Sequence, residues 1–392
     1  MSIGIVNTLI VGVVVYPAIA IGVFGLLVAL GVVVYYAAEF FYEERYPDEV
    51  HFARTADGWR IATLRYRSEP SKSTEVGLES AAGVEPVVLI HGIGANHYNF
   101  DLTEDCSLAR ALSSAGFDVW VVELRGRGWS TRPRLFSRFR YDWSFDEYVS
   151  QDLPAAIGCV KQATGADRVR LVGFSLGGMA MYAYLADAAR AAEVTTAVAI
   201  GAPVGFRFQA RYLGGRVLRN LRWLRHQLWM RMLAPVAGYW NPKLVRLLQN
   251  PENIDGAVLR RALVNMACNF ARNELLQFGD WLLNDTFRSL DHRRNYREEL
   301  MRISVPMLSV AGARDLLAPP EAVKAAYDAV ASADKRFVIA GRAHGFRANY
   351  GHEDLLLGRH ARQEIYPLVV QWLRPVSVDE QDKGENHNGE AS

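Results

Sequence analysis

At 392 residues, half of them hydrophobic, the chain can bury a large core, and α/β units with an insertion reach this length as a single body. A formal net charge of +2 supplies no general basic excess to neutralise phosphates, which excludes nucleic acid as the expected partner. Cys106, Cys159 and Cys268 are widely spaced and odd in number. They fit neither a metal-binding spacing nor a disulfide framework and are expected as reduced thiols.

The first charged residue is Glu39; residues 2–38 carry none and are mostly Val, Ile, Leu, Ala and Gly. About 20 such residues cross a bilayer as a helix. The block is therefore expected as a membrane anchor over residues 1–42, either one long tilted helix or two short passes hinged near Pro17. A cleaved signal peptide competes with this, because Ala18-Ile19-Ala20 has the small-residue spacing of a cleavage site. Against it, no Lys or Arg precedes the run, and residues 21–38 would remain as a second apolar stretch. Arg45 and Arg54 follow the block, which for one pass places the main body in the cytoplasm.

After the anchor, "VHFARTADGWRIATLRY" alternates around Asp57-Gly58, a β-hairpin signal. Residues 68–85 are polar, rich in Gly, Ser and Glu, and read as a surface loop. Short continuous apolar runs then recur: "PVVLIHG", "FDVWVVEL", "VRLVGF", "TTAVAIGAP", "PMLSVAG" and "RFVIAG". Strands apolar on both faces belong in a parallel sheet covered by helices. Helical patterns separate them at residues 108–115, 145–164, 176–189 and 321–331, and a last one covers 361–373. The fold class expected is α/β, a mostly parallel doubly wound sheet entered by an antiparallel hairpin. Residues 204–302 interrupt the rhythm with a long helical insertion, read as a cap over the carboxyl ends of the strands, where open α/β sheets place their sites. The core then falls into two parts, residues 43–203 and 303–374, and the acidic tail 375–392 is expected to be disordered.

"LVGFSLGG" places Ser175 between Gly173 and Gly177 where a strand turns into a helix. A serine hydroxyl is a poor nucleophile until a base takes its proton and a third group orients that base. A sharp strand-to-helix turn presents it, and small residues two positions to either side let strand and helix approach. The helix opening at Leu176 aims free N–H groups at an anion. In "LIHGIG", Gly92 and Ile93 form a tight turn at another strand end, so the N–H groups of Ile93 and Leu176 are the expected oxyanion pair. His91 reads as a structural histidine of that turn. "LSVAGARDLLAPP" puts Asp315 just past one strand, and "VIAGRAHGF" puts His344 just past the last. Alone, Asp315 reads as a helix cap and His344 as a loop residue; serine, aspartate and histidine in that chain order, each at a strand end, read together as a catalytic triad.

At these residues the chain resembles the α/β-hydrolases, over about residues 50–373. "WSFDEYVSQDLPAAI" and "ELRGRGWS" are similar to segments of the acid-lipase branch, and the chain also resembles, more weakly, the polyester (polyhydroxyalkanoate) synthases. The resemblance implies Ser175 as nucleophile, His344 as base, Asp315 as orienting acid and a mobile helical cap. It departs from the pattern at Phe174, where many members carry His, and from the synthases at Ser175, where they carry cysteine.

Arg207, Arg211, Arg216, Arg219, Arg222, Arg225 and Arg231 crowd one stretch of the insertion among Phe206, Phe208, Tyr212, Trp223 and Trp229. Such interleaving suits a helix lying in a lipid interface; the alternative is a solvated face that pairs with acidic neighbours. The expected function is a membrane-anchored serine hydrolase (lipase- or esterase-like) cleaving carboxylic esters of apolar substrates. An acyltransferase using the same acyl-enzyme and a non-catalytic binding protein of the same fold are the alternatives. The expected partners are a small ester or lipid and the bilayer. The chemistry calls for no metal and no organic cofactor, and the sequence does not specify an oligomeric state.

Overall fold

A computed structural model describes residues 16–68, 85–134, 136–207, 225–239 and 243–374. The sequence expectations for 69–84, for the tail from 375 and for Phe208, Arg211, Tyr212, Arg216, Arg219, Arg222 and Trp223 lie outside the described residues.

Eight strands form one sheet: β1 (Glu49–Arg54), β2 (Arg60–Tyr66), β3 (Val87–Ile90), β4 (Val119–Glu123), β5 (Val169–Phe174), β6 (Val194–Ile200), β7 (Met307–Gly312) and β8 (Lys335–Ala340). Their spatial order is β1-β2-β4-β3-β5-β6-β7-β8. The hairpin β1–β2 and the β2–β4 pairing are antiparallel, and every other pairing is parallel. β3, β4, β5 and β7 are buried along their whole length, as continuous apolar runs require when helices cover both faces. Two hydrophobic clusters lie on opposite sides of the sheet. One gathers Trp120, Phe145, Tyr148, Leu171 and Trp281; the other gathers Leu89, Phe100, Val172, Leu308 and Ile365.

Among the described residues the apolar N-terminal block is one helix, Tyr16–Ala38, without a charged residue; residues 1–15, and with them the choice between one pass and two, lie outside the described residues. Ala38 is buried against Met230, Ala234, Leu259 and Leu263.

The helix expected over 145–164 begins with a capping box, Ser144 with Glu147, then runs as a π-helical turn over Tyr148–Asp152 before the α-helix Leu153–Thr164. That turn points both Tyr148 and Asp152 inward. Asp152 takes the Nε of Arg125 at 2.8 Å, and the Tyr148 hydroxyl donates to Glu274 at 2.9 Å. Arg127 holds both oxygens of the same Glu274, at 2.9 and 2.8 Å. All of these side chains are buried.

Between β6 and β7 the described residues contain helices and no strand: His226–Leu233, Lys243–Leu248, Gly256–Asn265, Arg272–Asn284 and Tyr296–Glu299. Glu274 belongs to the fourth of these, so the Arg127–Glu274 pair fastens the insertion to the core. Removing one member of such a pair typically costs about 3–5 kcal/mol, because the other is left charged and buried.

Candidate active site

Ser175 stands between β5 and the helix Leu176–Leu185 with φ 53° and ψ −121°. A non-glycine residue at positive φ costs about 1–3 kcal/mol and persists only where its surroundings fix it. Here they do. The Ser175 N–H donates to Ile200 O at 2.8 Å. A Cβ on Gly173 would sit 2.5 Å from the Gly178 Cα, and one on Gly177 would overlap the Ile90 carbonyl. The two glycines of the motif are therefore steric necessities of the turn, and strand and helix touch through them.

Asp315 lies beyond β7 and is buried. Its Oδ1 accepts from the N–H groups of Leu317 at 2.8 Å and Ala318 at 2.7 Å, which leaves Oδ2 free to face a partner. That partner is His352, whose Nδ1 lies 2.7 Å from Oδ2. On the other side of the ring, His352 Nε2 is 2.8 Å from the Ser175 Oγ. An ionised carboxylate only accepts, so the proton sits on Nδ1 and the serine hydroxyl donates to Nε2. The three side chains form one hydrogen-bonded line.

His344 is not part of it. It ends a 3-10 turn, Arg342–His344, directly after β8, and its side chain is exposed beside Arg336, Val338 and Phe346. The histidine that meets Ser175 and Asp315 is thus His352 and not His344, the one expected from the sequence. The physical reason is the course of the loop. It swings outward at 342–344 and then returns to the sheet: Tyr350 N–H donates to Ala340 O at 3.2 Å, and Tyr350 O accepts from Arg314 N–H at 2.7 Å. Gly312 lets this happen, since a Cβ there would meet the Tyr350 carbonyl oxygen at 2.6 Å. Asp354 then fixes the segment by accepting from Gly351 N–H at 2.9 Å, Asn250 N–H at 3.1 Å and the Asn253 amide at 2.8 Å. No local pattern in the sequence marks His352, which lies well past the end of β8.

The His352 ring packs on Phe174, with centroids 4.9 Å apart, and on the backbone of Gly201, whose φ is +56°. Burial alone would lower its pKa; the charge and hydrogen bond of Asp315 outweigh that and hold the imidazole above its ordinary value, with Glu353 and Asp354 adding in the same direction. Glu353 is itself raised to about 7, chiefly by burial. Its Oε2 accepts from the Asn99 amide at 3.4 Å.

Gly92 lies against the elbow, for a Cβ there would be 3.3 Å from the Ser175 Cβ. The turn is held from below and above. Gly92 N–H donates to Asn99 Oδ1 at 2.9 Å, and Gly94 O accepts from Cys268 N–H in the insertion at 2.7 Å. His91 donates from Nδ1 to Gly92 O at 2.9 Å and accepts at Nε2 from Leu124 N–H at 3.2 Å. Burial pushes its pKa down to about 4, which suits a neutral structural histidine with both nitrogens occupied. The N–H groups of Ile93 and Leu176 have no hydrogen-bond partner among the described residues. Sequence reasoning did not single out Asn99 or Glu353. Among the described residues no three His, Cys, Asp or Glu side chains converge as metal ligands.

A profile of the alpha/beta hydrolase fold matches residues 85–346. The chain belongs to this family. Within it, the chain is 33% identical to human lipase member M over 149 residues, 36% of this chain and 33% of that protein. It is 23% identical to mouse lipase member N over 384 residues, 86% of this chain and 90% of that one. The poly(3-hydroxyalkanoate) polymerase subunit PhaC of Haloarcula marismortui is 23% identical over 349 residues, 82% of this chain and 67% of that one. The stretch shared with human lipase member M thus spans about a third of that relative's length. Among solved structures, an esterase from Exiguobacterium antarcticum superposes with a TM-score of 0.54 at 19% identity, over 83% of this chain and 100% of that one. At that identity the likeness concerns the fold. Both branches that the sequence resembles, lipases and polyester synthases, are represented among these relatives.

Proposed function

We propose that this α/β-hydrolase is a membrane-anchored serine hydrolase that cleaves carboxylic esters of apolar substrates through an acyl-enzyme. The observation that carries the reading is the line Ser175–His352–Asp315 at a strained strand-to-helix turn. Ser175 Oγ attacks the ester carbonyl while His352 Nε2 takes its proton. Asp315 holds the imidazole in the Nδ1–H tautomer and stabilises the imidazolium as it forms. The N–H groups of Ile93 and Leu176 receive the oxyanion, an interaction worth about 10²–10³ in rate for each donor. His352 then protonates the leaving alcohol, and water repeats the sequence on the acyl-enzyme. The lipase names among the relatives support an ester substrate.

Anchoring is proposed on the uncharged helix Tyr16–Ala38, 23 residues long. At 1.5 Å per residue it spans about 35 Å, enough for a hydrocarbon core of about 30 Å. With Arg45 and Arg54 on its carboxyl side, the catalytic unit is assigned to the cytoplasmic face. Residues 204–302 act as the cap. Transfer of the acyl group to an acceptor other than water is the second reading, supported by the relation to a polymerase subunit over most of the chain.

The test uses a fluorophosphonate probe and p-nitrophenyl esters. His352→Ala and Ser175→Ala should each lose about 10⁴–10⁶ in turnover, as for other triads, and Ser175→Ala should lose labelling. His344→Ala should stay within about twofold of wild type. Labelling that survives in Ser175→Ala would refute the mechanism. Ester product formed with an added alcohol in preference to free acid would favour the transferase.

A further inference from the structure

The anchor helix does not leave the catalytic unit on a free linker. The residues that directly follow it are bonded into the insertion and the core. Asn265 donates to Phe41 O at 2.8 Å and accepts from Glu43 N–H at 3.0 Å. Tyr98 reaches Glu43 O at 2.6 Å, and Arg260 lies over the Phe41 ring. The orientation of the helix relative to the catalytic unit is therefore fixed.

Within that junction, one insertion helix, His226–Leu233, lies directly along the anchor. Arg231 donates to the Tyr35 hydroxyl at 3.0 Å, covers the Tyr35 ring at 5.3 Å, and pairs with Glu39 at 3.1 Å. One turn further back, Met232 Cε reaches Gly31, 3.9 Å from where a Cβ would stand. An arginine is tolerated beside a bilayer helix where it is paired and near the head groups, and tyrosines concentrate at that level. Tyr35, Glu39 and Arg231 accordingly mark the boundary of the hydrocarbon, and Met232 lies about 6 Å deeper, at 1.5 Å per residue from Tyr35 to Gly31.

Leu228 is three and four residues before Arg231 and Met232, on the same face of its helix. It is 38% exposed, and its neighbour Trp229 is 50% exposed. Tyr239, whose ring is covered by the same Arg260 that covers Phe41, is 82% exposed, and Phe40 is 88% exposed. These apolar groups flank an anchor that is itself uncovered from Tyr16 to Leu30.

We infer that the helix His226–Leu233 lies in the head-group layer of the bilayer beside the anchor, with Leu228 and Trp229 in contact with lipid. This rests on the reading of Tyr16–Ala38 as a bilayer-crossing helix. The occupant of this exposed face is lipid because the face is continuous with the exposed, uncharged helix Tyr16–Ala38, and because its paired arginine, Arg231, stands beside Tyr35 and Glu39 at the helix end. The same helix reaches the candidate site. His226 at its start packs on Phe270, with centroids 4.5 Å apart, and the Phe270 ring fills the space over Gly94. The oxyanion turn is thus held within one helix of the leaflet.

The experiment uses the full chain in nanodiscs of phosphatidylcholine and phosphatidylglycerol, with Cys159→Ser as background. A nitroxide is placed at Trp229→Cys and, as a reference, at Met301→Cys. Met301 is 70% exposed and precedes β7, at the amino end of the strands. Turnover of a soluble acetate ester checks that both proteins are folded. The expected result is that oxygen quenches the label at 229 more than a water-soluble nickel chelate does, with the order reversed at 301. A parallel carbonate wash of membranes tests the anchor alone. If the chain resists the wash but the label at 229 behaves like that at 301, the inference is overturned and the anchor stands. If the wash releases the chain, the anchor reading fails and the inference falls with it.

Discussion

The turn that carries Ser175 and the loop that carries His352 bring two atoms to within 2.8 Å by different means. The turn after β5 is fixed by main chain against main chain: Gly173 on Gly178, Gly177 on the Ile90 carbonyl, Ser175 N–H on Ile200 O. The loop after β8 is fixed by side chains, chiefly the Asp354 carboxylate collecting donors from Gly351, Asn250 and Asn253. Two of those donors come from the insertion, about a hundred residues away in sequence. A turn built on backbone contact has no slack, whereas a loop built on side-chain bonds can lose one and still exist. The first should fail by unfolding and the second by misplacing its histidine.

Three substitutions sharpen or break that contrast. Gly177→Ala introduces a Cβ into the Ile90 carbonyl, and overpacking a rigid backbone contact should cost about 3 kcal/mol or more. Thermal melting should show a lowered midpoint together with lost activity. A midpoint equal to wild type would mean that the elbow yields, and the contrast would collapse. Asp354→Asn keeps the shape of the side chain but opposes an amide N–H to some of its three donors. Stability should fall by about 1–3 kcal/mol, while kcat falls by roughly 10–100-fold with KM little changed, since small displacements at a reacting centre are costly. Loss of stability with an unaltered kcat would show that Asp354 supports the fold alone.

The smallest effect is expected at Glu353. In the proposed mechanism His352 must be neutral to take the serine proton, and its pKa is raised, so activity should rise with pH through a value above the ordinary histidine range. The Glu353 carboxylate contributes to that rise in its ionised form. Glu353→Gln removes the charge, lowers the imidazolium's stability, and should move the acid limb of kcat/KM to lower pH. A limb that stays in place would separate Glu353 from the histidine and leave it as a support for Asn99.

The same contrast explains what was legible beforehand. The strands were readable because burial on both faces writes itself as unbroken apolar runs, as in β3, β5 and β7. The elbow was readable because its steric demand falls on Gly173 and Gly177, close in sequence. Asp315 was readable because it follows its strand within a few residues. His352 was not, because the loop leaves the site at Arg342–His344 and returns under the control of Asn250 and Asn253, and no local pattern encodes a return. The fastening of the insertion by Arg127 and Glu274, 147 residues apart, was invisible for the same reason, as was the π-helical turn that aims Tyr148 at it. For the arginines of the insertion, Arg207 and Arg231 have carboxylate partners, Asp285 and Glu39. The sequence neighbourhood, free of acids, did not show them.

The strained turn at Ser175 has a consequence for how such a site can change. The close approaches of Gly173 to Gly178 and of Gly177 to the Ile90 carbonyl, and the Ser175 N–H bond to Ile200 O, are made by the main chain, whereas the hydroxyl meets His352. The turn is a socket whose tip is chemically interchangeable: sulfur could replace oxygen there while the sheet, the elbow and the flanking helix keep their geometry. Variation in which reaction is run and variation in whether the chain folds therefore fall on different residues, and an altered nucleophile can be tried, by engineering or by descent, without first rebuilding the fold that presents it.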